Sequence, residues 1–131
     1  MAKPKKHEVR LTSSAKRDLS DVMEWTVEEF GVRAALRYDA LIKQALKDIG
    51  DDPERPGSKE RPEIMLAGVR TYHLQFSRSR VSGPNVKAPR HFLLYRSRAD
   101  GVIELARILH DGRDLARHLP DDYRRGAPAE E

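Results

Sequence analysis

The spacing of apolar residues in the first half of the chain predicts a short strand followed by two helices. Val9 and Leu11 alternate with polar residues, as in a half-buried strand. From residue 13 the apolar side chains recur every three to four positions, first as far as Gly31 and then again over residues 32–49. Because a single glycine separates the two predicted helices, we expect them to fold back on each other as a helical hairpin.

The second half predicts a three-stranded meander and a short final helix. The proline-rich residues 51–63 read as a loop, and Asp100 and Gly101 predict a tight turn between strands. The strands are predicted at residues 69–76, 91–98 and 102–110, residues 77–89 form an irregular connection, and a helix is predicted at residues 113–119. The last strand is apolar at nearly every position and is therefore expected in the middle of the sheet.

These elements predict one α+β domain: an N-terminal strand, a helical hairpin, a mostly antiparallel meander and a short C-terminal helix. The length of 131 residues is that of a single domain. We expect a basic N-terminal tail over residues 1–7, the folded domain over residues 8–119, and a flexible tail over residues 120–131.

Charge is distributed unevenly along the chain. The net charge is +4, but the stretch from Ile64 to Ala99 contains seven basic residues and no acidic one. These residues are Arg70, Arg78, Arg80, Lys87, Arg90, Arg96 and Arg98. Such a stretch predicts a positive potential that attracts an anionic partner, the alternative being a merely solvated basic face.

The compartment follows from what the sequence lacks. There is no cysteine, which excludes a disulfide framework and fits a reducing, cytoplasmic location. We find no secretory signal and no apolar run long enough to span a bilayer, so no membrane association is expected.

Familiar catalytic and metal-binding motifs are also absent from the sequence. The five histidines do not form a metal-type cluster, and no phosphate-binding loop or nucleophile motif occurs, so we expect no metal and no cofactor. The chemistry that the residues do permit is metal-free RNA cleavage, which needs cations and a proton carrier. The cations would be Arg70, Arg78 and Arg107, and the proton carrier would be Tyr95 or His110. The alternative is that Tyr95 and His110 are structural.

Two further positions have open roles. Trp25 lies off the apolar stripe of the first helix, so it either packs within the hairpin or anchors a partner. Arg107 and His110 lie three apart on a predicted strand, where side chains alternate, so we expect them to face opposite sides of the sheet. This favours a structural His110 that holds the junction into the last helix by a hydrogen bond.

Five segments together resemble the ParE branch of the RelE/ParE toxin superfamily. They are RLTSSAKRDL (residues 10–19), GVRTY (68–72), FLLYR (92–96), VIELARILH (102–110) and RDLARHL (113–119). The resemblance covers about residues 8–119. The connection over residues 77–89 is longer than the family pattern, which affects how the sheet edge is used.

This resemblance implies the toxin of a bacterial type II toxin–antitoxin system, acting in the cytoplasm. It implies a ParD-like ribbon–helix–helix antitoxin that binds through an acidic C-terminal segment, and DNA gyrase as the target of a protein that is not an enzyme. The residues expected to contact the antitoxin or the target are Trp25, Arg70, Arg78, Arg96, Arg98 and Arg107. Relatives of the RelE branch instead cut mRNA on the ribosome, and this remains the alternative function.

A plain nucleic-acid-binding domain is the third hypothesis. Few aromatic residues are interleaved with the basic ones along the sequence, whereas stacking on single strands requires them. Both long helices carry balanced charge and offer no recognition-helix pattern, so we expect no sequence-specific DNA binding by this chain.

Overall fold

A computed structural model describes residues 6–113 and 115–125. Their elements, in chain order, are β1 (Val9–Leu11), α1 (Ser13–Phe30), α2 (Val32–Asp51), β2 (Lys59–Glu60), β3 (Val69–His73), a 3-10 helix (Leu74–Arg80), β4 (His91–Ser97), β5 (Ile103–His110), α3 (Leu115–His118) and a second 3-10 helix (Asp121–Tyr123). This order confirms the predicted α+β architecture.

The strands form one five-stranded sheet in the order β1-β5-β4-β3-β2. β1 runs parallel to β5, and the other neighbours are antiparallel. The turn at Asp100 and Gly101 connects β4 to β5 as predicted, with Gly101 at a φ of 83°. β5 lies inside the sheet, which its uniformly apolar sequence requires.

α1 and α2 form the predicted hairpin and cover one face of the sheet. The side chain of Thr12 accepts a hydrogen bond from the amide of Ala15 and begins α1, and Gly31, at a φ of 90°, makes the turn into α2. The helix-side core lies between the hairpin and the sheet. It contains Ala15, Val22, Tyr38, Leu41, Ile42, Ala45, Ile49, Tyr72, Leu74, Leu93, Tyr95, Ile103, Leu105 and Ile108.

The second core lies on the other face of the sheet. It is formed by Met65, Val69, Leu94, Ala106, Leu119 and Tyr123. The hydroxyl of Tyr123 donates to Glu104 at 2.7 Å, and the guanidinium of Arg96 lies 4.4 Å from the centre of its ring. Tyr123 is therefore packed against the sheet, which corrects the flexible tail predicted to begin at residue 120. The end of that tail, and most of the predicted N-terminal tail, lie outside the described residues.

Two other predictions are corrected in the middle of the chain. The predicted strand 69–76 ends at His73, because the chain turns there so that Leu74 and Ser77 become buried. The predicted loop 51–63 contains β2, which pairs with β3 at the sheet edge. Neither change was visible in the apolar spacing, since both depend on contacts with distant residues.

A β-bulge sets which side chains of β5 face each core. Leu94 pairs with Arg107 while Tyr95 pairs with Leu105, so Ala106 is an extra residue in β5. Leu105 and the residue three positions later, Ile108, consequently both face the helix-side core. Ala106 instead packs in the second core.

A buried carboxylate connects α2 to the chain beyond β3. Asp48 accepts hydrogen bonds from Ser77 at 2.6 Å, from Gln44 at 2.9 Å and from Arg80 at 2.9 Å. Arg55 lies 3.4 Å away. Burial alone would raise the pKa of the Asp48 carboxyl, but these hydrogen bonds and the charge of Arg55 hold that pKa below its ordinary value.

We predict that Asp48→Asn lowers the free energy of unfolding by about 3 kcal/mol, because it leaves two arginines without their carboxylate. Because the pKa of Asp48 is depressed, its contribution is complete above the ordinary aspartate value of 3.8 and is lost as the pH falls below it. Urea unfolding at several pH values measures both effects. Asp39→Asn is the control, since the Asp39–Lys43 pair is exposed and should matter by less than about 0.5 kcal/mol. Equal effects of the two substitutions would contradict the prediction.

Candidate functional site

Large apolar side chains are exposed at the tip of the helical hairpin. Trp25, Val27, Phe30, Val32 and Leu36 all lie within twelve residues around Gly31 and are exposed. Scattered exposed apolar residues are ordinary, but a cluster at one end of a domain marks an interaction surface.

A groove runs from this tip along the side of the hairpin, and we call it the hairpin groove. Its apolar lining is formed by Trp25, Phe30, Ala34, Tyr38, Val86 and Ala88, and it has a volume of about 460 Å³. The rings of Trp25 and Phe30 meet edge to face, with 5.6 Å between their centres. The two aromatic side chains thereby support each other at the mouth of the groove.

The long connection before β4 forms the second wall of the hairpin groove. Val81 and Val86 pack against the helix-side core, which fixes the connection beside the hairpin. Residues 85–88 then line the groove opposite the aromatic side chains of α1. The long connection over residues 77–89 thus supplies four of the twelve described residues that line the hairpin groove.

The floor of the hairpin groove is buried and uncharged at neutral pH. The hydroxyl of Tyr38 accepts a hydrogen bond from the amide of Arg90 at 3.0 Å and lies 2.6 Å from Nδ1 of His91. Burial raises the pKa of Tyr38 to about 12. Burial, assisted by the charge of His110, lowers the pKa of His91 to about 4. The pair therefore presents a neutral surface to an apolar ligand.

The rim of the hairpin groove is positive. Arg37 and Lys87 line it and are exposed. Neither makes an ion pair within residues 6–113 and 115–125. Arg90, also on the rim, is held by Asp111 at 3.0 Å. An apolar channel flanked by free cations fits a segment that carries both apolar and acidic side chains.

The structure places one predicted site residue, Trp25, in the hairpin groove, where it is 44% exposed. The five predicted arginines do not join it. Four of them are held by carboxylates of the same chain: Arg70 by Glu60, Arg96 by Glu104 and Asp122, Arg98 by Asp100, and Arg107 by Asp18. Arg78 is exposed, with no ion pair among the described residues.

The whole basic stretch is largely neutralised in this way. Five of its seven basic side chains, now counting Arg80 with Asp48 and Arg90 with Asp111, pair with carboxylates from outside the stretch. Arg78 and Lys87 are the two that have no such partner in the described part of the chain. The positive potential is therefore weaker and more local than the sequence suggested.

Of the residues considered for RNA cleavage, Arg107 and His110 line one cavity of about 270 Å³, whereas Arg70, Arg78 and Tyr95 lie outside it. Arg107 pairs across the sheet with Leu94, in the second core, whereas His110 pairs with His91 beside the hairpin groove. Nδ1 of His110 accepts a hydrogen bond from the amide of Gly112 at 3.0 Å, as expected for a residue that holds this junction. Tyr95 is fully buried, and its hydroxyl donates to the carbonyl of Pro53 at 2.6 Å.

Phe30 and Tyr38 are the site residues whose role the sequence did not indicate. Phe30 fits the apolar stripe of α1, yet it is 65% exposed because it is the last residue of the helix. The sequence holds one signal of this exposure: Phe30 and Val32 flank Gly31, and apolar residues on both sides of a hairpin turn cannot all face the core.

The described residues contain neither a cluster of side chains suited to hold a metal ion nor a helix with the length and apolar character that a bilayer crossing requires.

Residues 9–115 match the family described as the ParE toxin of type II toxin–antitoxin systems, parDE. No curated protein matches the chain. The chain is also similar to a solved structure of the chromosomal ParDE system from P. aeruginosa, with 17% identity and a TM-score of 0.57 over 80% of this chain and 96% of that one. A structure of the RelBE2 complex from Mycobacterium tuberculosis gives 22% identity and a TM-score of 0.49 over 81% of this chain and 99% of that one.

The buried His91 predicts a loss of stability in weak acid. Because its pKa is about 4 in the folded protein and 6.5 ordinarily, the unfolded chain binds more protons between these values. The free energy of unfolding should fall by up to about 3 kcal/mol from pH 6.5 to pH 4. Urea unfolding across this range measures the slope, and His91→Gln should remove most of it. An unchanged slope in the variant would assign the effect to other groups.

Proposed function

This chain belongs to the ParE toxins of type II toxin–antitoxin systems, and on that premise we propose that it inhibits DNA gyrase and is silenced by direct binding of a ParD-like antitoxin. A toxin that acts in this way must bind other macromolecules, so the proposal depends on a surface suited to binding. The hairpin groove is the observation that supports it.

The groove suits an antitoxin segment that folds on binding. Trp25 and Phe30 offer two aromatic contacts at its mouth, and aromatic residues are frequent binding hot spots. A groove of this kind takes the apolar face of an amphipathic helix or extended segment. Arg37 and Lys87 on the rim would meet the acidic side chains of that segment, which is the charge expected for a disordered antitoxin tail.

The partners already held by Arg107, Tyr95 and His110 support a toxin that acts by binding. Arg107 forms a bidentate ion pair with Asp18, with distances of 2.7 and 3.1 Å. Tyr95 and His110, the two residues considered as proton carriers, have structural partners of their own. Metal-free RNA cleavage would need such groups free and directed at one phosphate.

We predict that the purified toxin inhibits DNA supercoiling by gyrase or traps cleaved DNA with it, and that it produces no codon-positioned cuts in mRNA in a translating extract. Plasmid supercoiling and primer extension measure the two activities. Site-specific mRNA cuts with normal gyrase activity would replace the proposal with the RelE-like ribonuclease. Inactivity in both assays would mean that this fold has another target.

We predict that Phe30→Ala weakens binding of the antitoxin encoded beside the toxin gene by about tenfold or more, as expected for a hot-spot aromatic. Calorimetric titration measures the affinity. The matched control is Leu36→Ala, because Leu36 is as exposed as Phe30, at 65%, and lies on the same hairpin but outside the groove.

The positive rim is tested by measuring the rate at which the same antitoxin associates with the toxin. Arg37→Glu combined with Lys87→Glu should slow association, mainly at low salt, because charge steers the encounter. Arg17→Glu with Lys47→Glu changes the net charge equally on exposed positions outside the groove and should slow it less. Equal losses for Phe30→Ala and Leu36→Ala, or for the two charge pairs, would place the antitoxin elsewhere.

A further inference from the structure

A second cavity lies on the opposite face of the sheet from the hairpin. It has a volume of about 590 Å³, and its lining includes Gly57, Lys59, Arg61, Glu63 and Ile64 on one side and Asp111, Arg113, Leu115 and Ala116 on the other. Thr71, on β3, lies in its wall. We call it the sheet cavity. It shares no lining residue with the hairpin groove.

Three cations without ion-pair partners surround the sheet cavity. Lys59, Arg61 and Arg113 all line it and are exposed, and none makes an ion pair among the described residues. This is unusual in a chain where most arginines of the second half have a carboxylate. Free cations around one cavity provide a site for an anion.

The lining carboxylates do not cancel this charge. Asp111 is already held by His73 at 3.0 Å and by Arg90 at 3.0 Å. Glu63 is therefore the lining carboxylate that remains to offset three cations. Among the described residues that line the sheet cavity, positive charge is therefore in excess.

Two aromatic rings lie beside these cations. Phe92, from β4, is half-buried, and Phe76, from the 3-10 helix, is 39% exposed. The ring of Phe76 sits directly on the backbone of Gly57, where an added Cβ would come within 2.5 Å of it. Gly57 has a φ of 100°, a conformation that favours glycine. The glycine therefore both permits this backbone turn and leaves room for the ring of Phe76.

We propose that the sheet cavity binds single-stranded nucleic acid, with backbone phosphates on Lys59, Arg61 and Arg113 and with bases stacked on Phe76 and Phe92. Cations along a groove with adjacent aromatic faces are the two components of sequence-tolerant single-strand binding. Cations alone would serve an acidic peptide equally well, and the aromatic rings are what favour bases. This proposal does not rest on gyrase inhibition or on antitoxin binding, so its failure would leave both of those proposals unaffected.

The test is binding of a fluorescein-labelled oligo(dT) of about ten nucleotides, followed by fluorescence anisotropy at several salt concentrations. The full-length toxin should bind, with affinity falling as salt rises. Replacing Lys59, Arg61 and Arg113 with glutamine should cost about tenfold or more in affinity and lower the slope of log affinity against log salt by about 2. Phe76→Leu should weaken binding by about fivefold to tenfold with little change in the slope.

The matched control removes the same charge from the helical layer, by replacing Lys16, Arg17 and Lys47 with glutamine. These three side chains are also exposed and lie outside the sheet cavity. No binding by the full-length toxin at low salt, or equal losses for the two triple variants, would overturn the proposal. If Phe76→Leu has no effect and polyglutamate displaces the oligonucleotide completely, the cavity is a site for acidic peptides and the proposal is wrong.

Discussion

β5 is eight residues long, but its outer neighbour β1 has only three residues and leaves part of the β5 edge without a strand partner. Side chains at the start of α1 supply hydrogen bonds to this edge. The hydroxyl of Thr12 donates to the carbonyl of Ala106, and the carboxylate of Asp18 accepts a hydrogen bond from the amide of Ile108 at 3.0 Å. The helical hairpin is thereby attached to the sheet at a fixed place, which determines where its apolar tip and the hairpin groove lie. The same carboxylate holds Arg107 and withdraws it from any partner.

Charge in this protein is arranged by partners that are distant in sequence. Asp48, near the end of α2, meets Arg80, which is thirty-two residues later. Arg96 is neutralised by the packed segment that carries Asp122. Because a paired arginine contributes little to the field outside the protein, the side chains that remain for recognition are the unpaired ones. The net charge of the chain therefore says less about partners than the few cations that the fold leaves without carboxylates.

The two surfaces that these cations mark differ in chemistry. The hairpin groove has an apolar lining over a neutral floor of Tyr38 and His91, with charge only at its rim. The sheet cavity has its cations beside Phe76 and Phe92, on the other face of the sheet. A single five-stranded sheet separates them. On our two proposals, the hairpin groove would hold a protein partner and the sheet cavity a nucleic-acid strand.

Local pattern was sufficient for most of the elements, because apolar spacing and turn residues act within a few positions. It determined β1, the hairpin joined at Gly31, the turn at Gly101 and the interior position of β5. Tertiary structure decided the rest: the end of β3 at His73, the place of Tyr123 in the second core, and the ion pairs that neutralise most of the basic stretch. It also placed the rings of Phe76 and Phe92 beside Lys59, Arg61 and Arg113, which lie far from them in the sequence. These features depend on contacts between residues far apart in the chain, and such contacts leave no periodic trace in the sequence.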